Sequence, residues 1–240
     1  MALDGVRALV FDTFGTVVDW YSGLAREAGP FLARHGKPDV DPGDFAYAWR
    51  KLEQPAMEEV RSGRRPFERL DVLHREILDA AVAEFGLDPA RIPAAELEAL
   101  NLAWHRLDPW PDSVPGLTRL KAGYIIAPLS NGNIILLLDM AKRAGLPWDA
   151  ILGAEVARAY KTTRESYLRT AEILAMRPEE VCLVAAHTSD LAAARDCGLK
   201  TVFVRRPLEY GPNRAGPPQP SQDWELSVDD LVELAAALGL

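Results

Sequence analysis

The sequence has 240 residues, which is enough for one α/β domain with a sizeable core and a modest insertion but short for two full domains. Hydrophobic residues make up 48% of the chain and charged residues 26%, a composition typical of globular proteins and unlike that of disordered or membrane proteins. The formal net charge of -8 makes a nucleic-acid backbone or an anionic membrane surface an unfavourable partner. We therefore expect no nucleic acid and no membrane among its partners.

The two cysteines, Cys182 and Cys197, are too few for a dense disulfide framework. The N-terminal stretch MALDGVRALVFD lacks the basic segment and long apolar run of a secretory signal. No apolar run approaches the ~20 residues that a membrane-spanning helix requires. These features predict a cytoplasmic protein.

Short apolar, β-branched runs at residues 6–11, 124–129, 181–186 and 201–204 predict buried strands. Segments with helical periodicity separate most of these runs, which is typical of βαβ units in a parallel sheet. The predicted fold class is therefore α/β, with a Rossmann-like parallel sheet. Ligands bind such sheets beyond the carboxyl ends of the strands. Candidate site residues follow three of the runs: Asp12, Ser130 with Asn131, and the stretch 187–190.

Between about residues 19 and 109 the strand-like runs give way to helical spacing, as in Phe45, Trp49 and Leu52. This predicts a helical cap domain, residues 19–109, inserted into a core domain formed by residues 1–18 and 110–240. Pro55 should break or kink the first helical stretch, because proline lacks a backbone donor and clashes with the preceding turn. The cap should therefore consist of several short helices.

The C-terminal region is rich in proline and glycine between residues 207 and 220, which predicts a long surface loop. A strand near 224–226 is expected to follow it. Ser227 and Asp230 resemble a capping box that opens a final helix over 228–238. Two short basic clusters, at 61–65 and 205–206, are interpreted as solvated charges without a functional role.

The segment FDTFGT, residues 11–16, places the Asp12 carboxylate at the end of a buried strand, before a glycine turn whose N–H groups can bind an anion. Taken alone, an aspartate at a strand end as often caps a turn or the next helix. Three later segments favour a functional role for Asp12: LSNG at 129–132, AYK at 159–161, and Asp190 after a strand.

In this order, the four segments resemble the haloacid dehalogenase superfamily along nearly the whole chain. Phosphatase members of that superfamily carry D-x-D in the first motif, and the second aspartate protonates the leaving alcohol. Phe14 stands at that position here and cannot donate a proton. A halide is a weak base and leaves without protonation, so the resemblance favours cleavage of a carbon–halogen bond.

The fourth motif gives a second indication. The phosphatases use aspartates there to hold Mg²⁺, but this chain has AAHTSD at 185–190, with alanines at the first positions. We therefore predict no metal and no other cofactor. Asp190 on its own could simply cap the next helix. The histidines His35, His74 and His105 show no metal-ligand spacing and are interpreted as structural or exposed.

Within the superfamily, the chain is most similar to the type II, L-2-haloacid dehalogenases. The shared pattern comprises Asp12 with 14–16, the pair Trp49-Arg50, Ser130-Asn131-Gly132, and Lys161 followed six residues later by Tyr167. Each piece is short, but the combination is specific. The resemblance implies hydrolysis of small 2-haloacids to 2-hydroxyacids, with a haloacid substrate and a halide ion as the bound partners, and it is compatible with a homodimer.

The resemblance also implies roles for individual residues. Asp12 would attack C2 and form an ester, Arg50 would bind the departing halide, and Lys161 would hold Asp12 ionised. Asp190 would orient or deprotonate the water that hydrolyses the ester. The predicted substrate-binding set is Thr13, Phe14, Thr16, Trp49, Arg50, Ser130, Asn131 and Tyr167, and the last of these orients Lys161 or Asp190.

Several alternatives stay open. Arg50 could be a solvated helix residue, Ser130 and Asn131 a simple turn, and Tyr167 a partly buried aromatic. Many relatives have asparagine where this chain has His187, which is expected to take over the contact with the hydrolytic water. Many also have K-P-D where Lys161 is followed by two threonines. The competing functions are hydrolysis of another small carboxylate, residual phosphatase activity, and non-catalytic carboxylate binding.

Overall fold

A computed structural model describes residues 3–217 and 222–240 of the chain. Its strands, in chain order, are β1 (Ala8–Phe11), β2 (Val18–Asp19), β3 (Asp108–Pro109), β4 (Ile125–Ser130), β5 (Leu152–Gly153), β6 (Val181–Ala185), β7 (Lys200–Val204) and β8 (Leu226–Val228). Six of them form one sheet in the order β5-β4-β1-β6-β7-β8. All neighbouring strands in that sheet are parallel, which confirms the predicted α/β class.

The four apolar runs of the sequence correspond to β1, β4, β6 and β7. Strand β5 was not predicted, because two residues carry no detectable periodicity. The last strand was predicted two residues early, near 224–226. Trp224 instead packs under the Arg195 guanidinium, and β8 pairs with β7 from Leu226 onward.

Apolar side chains cover both faces of the sheet, because successive residues of a strand point to opposite sides. In β1, Leu9 and Phe11 pack into one core cluster, while Ala8 and Val10 pack into the other. Each cluster is completed by helices, so the sheet lies between two helical layers. Buried parallel strands of this kind leave only their ends accessible to a ligand.

The helices of the predicted cap, here called the insertion, are α1 (Trp20–Arg34), α2 (Pro42–Lys51), α3 (Glu53–Arg61), α4 (Leu70–Glu84) and α5 (Ala94–Asn101). Those of the remaining chain are α6 (Ser113–Leu120), α7 (Ile134–Ala144), α8 (Ala154–Ala157), α9 (Arg164–Ile173), α10 (Thr188–Asp196) and α11 (Leu231–Ala237). Short 3₁₀ turns occupy Pro89–Arg91, Leu102–Arg106 and Pro178–Glu180. No helix in the described ranges is long and apolar enough to cross a membrane.

The break that Pro55 predicts lies between α2 and α3, at Leu52. Pro55 itself is the third residue of α3, where a backbone N–H has no partner within the helix, so its missing donor does little harm. The break turns the chain two residues after Arg50. It also makes Glu53 the first residue of the next helix, and this places both side chains at one corner of the insertion.

The cap of the last helix was predicted wrongly. Ser227 lies within β8, paired with Phe203, and cannot begin a helix there. The helix begins at Leu231, and the Asp230 carboxylate accepts a hydrogen bond from the Glu233 N–H at 2.7 Å. Asp230 is therefore the N-cap residue. Residues 218–221 of the predicted loop lie outside the described part of the chain.

The insertion begins and ends next to the sheet. Strands β2 and β3 form a two-residue antiparallel ladder, with Val18 opposite Pro109 and Asp19 opposite Asp108. The insertion also contacts the rest of the chain directly, since Arg61 Nη1 donates to the Lys161 carbonyl at 2.8 Å. These contacts hold α2 and α3 near the carboxyl ends of the strands.

Candidate active site

Asp12 follows β1, which lies in the middle of the sheet between β4 and β6. The carboxyl ends of β4 and β6 lead to Asn131 and His187, so these residues meet Asp12 at the same edge. The turn after β1 brings Thr16 back to Asp12: its hydroxyl donates to Asp12 Oδ2 at 2.7 Å and accepts from the Ala186 N–H. The strand order thus assembles the site from segments far apart in sequence.

The Asp12 carboxylate is buried and surrounded by hydrogen-bond donors. Lys161 Nζ donates to its Oδ1 at 2.7 Å, and His187 Nδ1 lies 3.0 Å from its Oδ2. Burial by itself would raise the pKa of Asp12, but the positive charges of Lys161 and His187 outweigh it and lower that pKa far below its ordinary value. Asp12 is therefore an ionised carboxylate at neutral pH.

Lys161 lies between two aspartates. Its ammonium donates to Asp190 Oδ2 as well as to Asp12. Burial lowers the pKa of Lys161, but the two carboxylates raise it more, so the lysine stays charged. The Tyr167 hydroxyl donates to Asp190 Oδ1 at 2.6 Å, and the Lys161 backbone N–H donates to the Asn131 side chain at 2.9 Å. The position of Lys161 is thus fixed at both its backbone and its ammonium.

His187 bridges Asp12 and a residue that the sequence interpretation missed, Glu209. His187 Nε2 lies 2.9 and 3.0 Å from the two oxygens of Glu209, whose side chain is only 1% exposed. Burial would lower the pKa of His187, but Glu209 and Asp12 together raise it to about 10. In the free protein the imidazole is therefore protonated at neutral pH and donates to both carboxylates.

The loop after β7 carries Glu209 into the site. Arg206 anchors the start of this loop, because its guanidinium donates to the Thr16 carbonyl and forms a bidentate pair with Asp112. The Trp20 indole N–H donates to Glu209 Oε1 at 3.1 Å. Glu209 was detectable in principle, since it lies just beyond the carboxyl end of a parallel strand. The proline-rich composition of the segment instead led to its interpretation as a surface loop.

A cavity of about 650 Å³ opens above Asp12. Of the predicted site residues, its walls contain Asp12, Phe14, Arg50, Asn131, Lys161, His187 and Asp190. The Arg50 guanidinium lies 5.6 Å from the ring centre of Trp20 and 5.9 Å from that of Phe14. One cation thus faces the cavity between two aromatic rings, an environment suited to a weakly hydrated anion.

Five predicted site residues are not part of the cavity wall: Thr13, Thr16, Trp49, Ser130 and Tyr167. The Trp49 side chain is fully buried, packs against Trp104, and donates its indole N–H to the His74 carbonyl. Ser130 is also buried, and its hydroxyl accepts from the Gly132 N–H within the turn. Among the polar members, Thr16 and Tyr167 contact Asp12 and Asp190 directly. Thr13 is buried next to Asp12, with its hydroxyl unpaired among the described residues.

Several wall residues were not predicted: Trp20, Tyr47, Lys51, Glu53, Gln54, Glu58, Arg61, Thr162, Ser189, Glu209 and Tyr210. Arg61 and Arg206 correct the interpretation of the basic clusters as solvated charge. Arg61 reaches the Lys161 carbonyl, and Arg206 is buried in its pair with Asp112. Composition cannot distinguish such residues from surface charges, because their partners come from distant segments.

The residues present do not fit a magnesium ion. Ala185 and Ala186 offer no oxygen side chains, and the Lys161 ammonium already lies between Asp12 and Asp190. Within residues 3–217 and 222–240, no three His, Cys, Asp or Glu side chains are grouped as metal ligands.

A model of the haloacid dehalogenase-like hydrolases matches residues 6–198. The chain belongs to this family of hydrolases. It is 30% identical to (S)-2-haloacid dehalogenase 4A of Burkholderia cepacia over 214 residues, covering 87% of this chain and 88% of the relative. It is 31% identical to (S)-2-haloacid dehalogenase 1 of Pseudomonas sp. (strain CBS-3) over 220 residues, 87% and 89% of the two chains.

A comparison with solved structures gives the same relationship. The crystal structure of a defluorinating L-2-haloacid dehalogenase is 52% identical to the chain, with a TM-score of 0.94 over 98% of this chain and 96% of that one. Within the family, the chain therefore groups with the L-2-haloacid dehalogenases, as the motifs around Asp12, Arg50 and Lys161 predicted.

Proposed function

We propose that this chain hydrolyses small L-2-haloacids to 2-hydroxyacids, with Asp12 as the nucleophile. The observation that carries the proposal is an ionised, buried carboxylate facing a cavity in which Phe14 replaces a proton donor and Arg50 supplies a cation. That arrangement suits a leaving group that departs as a weakly basic anion. The (S)-2-haloacid dehalogenase relatives support the same substrate class.

In the first half-reaction, an Asp12 oxygen attacks C2 from the side opposite the halogen. A C2–O bond forms while the C2–halogen bond breaks, and the halide leaves with the electron pair of that bond. Arg50 binds the halide as it leaves. Asn131 and the backbone N–H groups of Thr13 and Phe14 bind the substrate carboxylate, and Lys161 keeps Asp12 in place.

In the second half-reaction, water attacks the ester carbonyl of Asp12, and a base must take its proton. Ester formation removes the negative charge of Asp12 and with it one cause of the raised pKa of His187. The imidazole, which is partly exposed, can then release its Nδ1 proton to solvent. Since Glu209 holds Nε2–H, Nδ1 is the nitrogen that faces the ester and accepts the proton from water. Asp190 and Lys161 orient the attack. The tetrahedral intermediate then collapses with cleavage of the bond between the Asp12 carbonyl carbon and the ester oxygen. The hydroxyacid leaves as its alkoxide, takes up the proton that His187 accepted from water, and the Asp12 carboxylate is restored.

The test is a halide-release assay over chloro-, bromo- and fluoro-substituted acetates and L-propionates, with and without EDTA. We expect release of halide that EDTA leaves unchanged, because Lys161 supplies the positive charge between Asp12 and Asp190. Phosphate esters are assayed in parallel with added Mg²⁺. Strict dependence on Mg²⁺, or release of phosphate without halide, would contradict the proposal.

A cytoplasmic location and a homodimer are proposed with it. Cys182 and Cys197 are both buried and unpaired, which fits a reducing compartment. Sedimentation of the purified protein distinguishes a dimer from a monomer.

A further inference from the structure

Glu53, next to the proposed halide site, is a buried carboxylate that the mechanism does not use. It is the first residue of α3, and its side chain is only 1% exposed. One oxygen, Oε2, pairs with Arg50 Nη1, and the other, Oε1, lies 2.9 Å from His74 Nε2. Both oxygens of Glu53 therefore have defined partners.

His74 holds the Glu53 carboxylate through its Oε1 atom. The His74 ring is completely buried and stacks on Trp104, with ring centres 4.1 Å apart. Its Nδ1 has no partner among the described residues, and the Glu53 carboxylate can only accept, so the ring proton is on Nε2. Burial raises the pKa of Glu53, but Arg50 and His74 more than offset this, and the net pKa is lowered. Glu53 is therefore a charged, immobile partner of Arg50.

This pairing has a consequence for halide binding. A guanidinium packed between the rings of Phe14 and Trp20 would attract a halide strongly if its charge were unopposed. The negative charge of Glu53, paired with Arg50 Nη1, opposes that attraction. A product halide must leave before the next substrate enters, so weaker binding of the free ion favours turnover.

We propose that Glu53 is a positioning residue that holds the Arg50 guanidinium toward the cavity and limits its affinity for the product halide. The proposal rests on the proposed function, since it takes Arg50 as the halide site. It concerns the balance between halide capture and halide release.

The test compares bromide inhibition of L-2-chloropropionate turnover in the wild type and in Glu53→Gln, at constant ionic strength. The substitution preserves shape and removes the charge. We expect the bromide inhibition constant to fall by roughly tenfold or more, because the Arg50 charge is then unopposed. A lower kcat with retained halide formation in the first turnover should accompany it. Damage to packing alone would weaken bromide binding rather than tighten it.

The matched control is Glu59→Gln on the same helix, since Glu59 forms an exposed pair with Arg64. Its bromide inhibition should equal that of the wild type. An unchanged or weaker bromide affinity in folded Glu53→Gln would overturn the proposal. If that variant does not fold, Glu53→Asp decides: the shorter side chain withdraws from Arg50 and should tighten bromide about threefold, and no change would equally overturn the proposal.

Arg50→Ala separates this inference from the proposed function. If bromide inhibits the wild type but not Arg50→Ala, Arg50 is the halide site, and the Glu53 variants test Glu53 alone. If Arg50→Ala and the wild type respond equally to bromide, the assignment of the halide to Arg50 fails, and the role of Glu53 fails with it.

Discussion

Five charged side chains, with three carboxylates and two cations, form one connected group beneath the cavity: Asp12, Lys161, His187, Asp190 and Glu209. Each cation lies between two carboxylates, so each also depends on Asp12 for part of its environment. A covalent ester at Asp12 would remove one negative charge from the centre of this group. The charge state of His187 is therefore coupled to the progress of the proposed reaction.

If Asp12 is the nucleophile, oxygen from water should enter Asp12 before it enters the product. In a single turnover in H₂¹⁸O with enzyme in excess, C2 takes its oxygen from Asp12, and water oxygen then enters the Asp12 carboxylate. We expect a mostly unlabelled hydroxyacid and ¹⁸O in the peptide that contains Asp12, measured by mass spectrometry. Label in the hydroxyacid with an unlabelled Asp12 would make Asp12 a general base instead.

The contact between His187 and Glu209 predicts a defect confined to ester hydrolysis. In His187→Gln and Glu209→Gln, the first halide should be released at near the wild-type rate, because the Lys161 ammonium still keeps Asp12 ionised and in place. Steady-state turnover should fall about 10²- to 10⁴-fold, the usual contribution of a general base. Rapid-quench measurement of halide should therefore show a burst of about one equivalent per site.

The control for this experiment is Glu172→Gln, an exposed glutamate on α9, which should show neither a burst nor a slower steady rate. Equal loss of the first turnover and of the steady rate in His187→Gln would assign His187 to substrate binding or folding.

At the scale of elements, the turn after β1 is the most constrained segment of the site. Gly15 has a φ of +89°, in the left-handed region that favours glycine. A Cβ at this position would lie 2.2 Å from Glu209 Oε1. The turn thus needs glycine both for its backbone conformation and for the approach of the loop after β7.

Gly15→Ala should therefore affect stability and activity together. The backbone strain costs about 1 kcal/mol, and displacement of Glu209 should reduce ester hydrolysis as in Glu209→Gln. Urea unfolding and burst kinetics measure the two effects. Gly36→Ala is the matched control, because Gly36 has a φ of +76° but open space where a Cβ would lie. It should lose similar stability and keep full activity; a Gly15→Ala enzyme with normal turnover would show that Glu209 tolerates displacement.

Elements with strong periodicity were predictable from the sequence, and their exact ends were not. The buried strands β1, β4, β6 and β7 were recognisable because each is a continuous apolar run. The N-cap of the last helix was misassigned because Ser227 and Asp230 have similar local capping propensity, and only the pairing of Ser227 with Phe203 distinguishes them.

For the whole molecule, strand order predicted one part of the site, the family resemblance added Arg50, Lys161 and Tyr167, and some contacts between distant segments were missed. Asp12, Asn131, His187 and Asp190 follow strands or begin helices at one edge of the sheet, so topology alone brings them together. Glu209 and Arg61 reach the site through side-chain contacts between distant segments. Such contacts leave no periodic signal in the sequence.

The charged group beneath the cavity should also shape the pH dependence of the free energy of unfolding. The pKa of His187 is raised from an ordinary 6.5 to about 10 in the folded protein. Its contribution to stability is therefore fully present below about pH 6.5 and is lost as the pH rises toward 10. The pKa of Asp12 is lowered, so its contribution is present above the ordinary 3.8 and is lost as the pH falls below that value.

Between pH 7 and pH 10, the wild type should therefore lose stability more steeply than His187→Gln, by at most about 1.4 kcal/mol per pH unit. Glu209→Gln should also show a shallower slope, because it removes the carboxylate that contributes most to raising the pKa of His187. Urea unfolding at pH 7, 8, 9 and 10 gives the three slopes. Equal slopes would mean that the imidazole is already neutral at pH 7, and Nδ1 could then accept the proton from water without first losing its own.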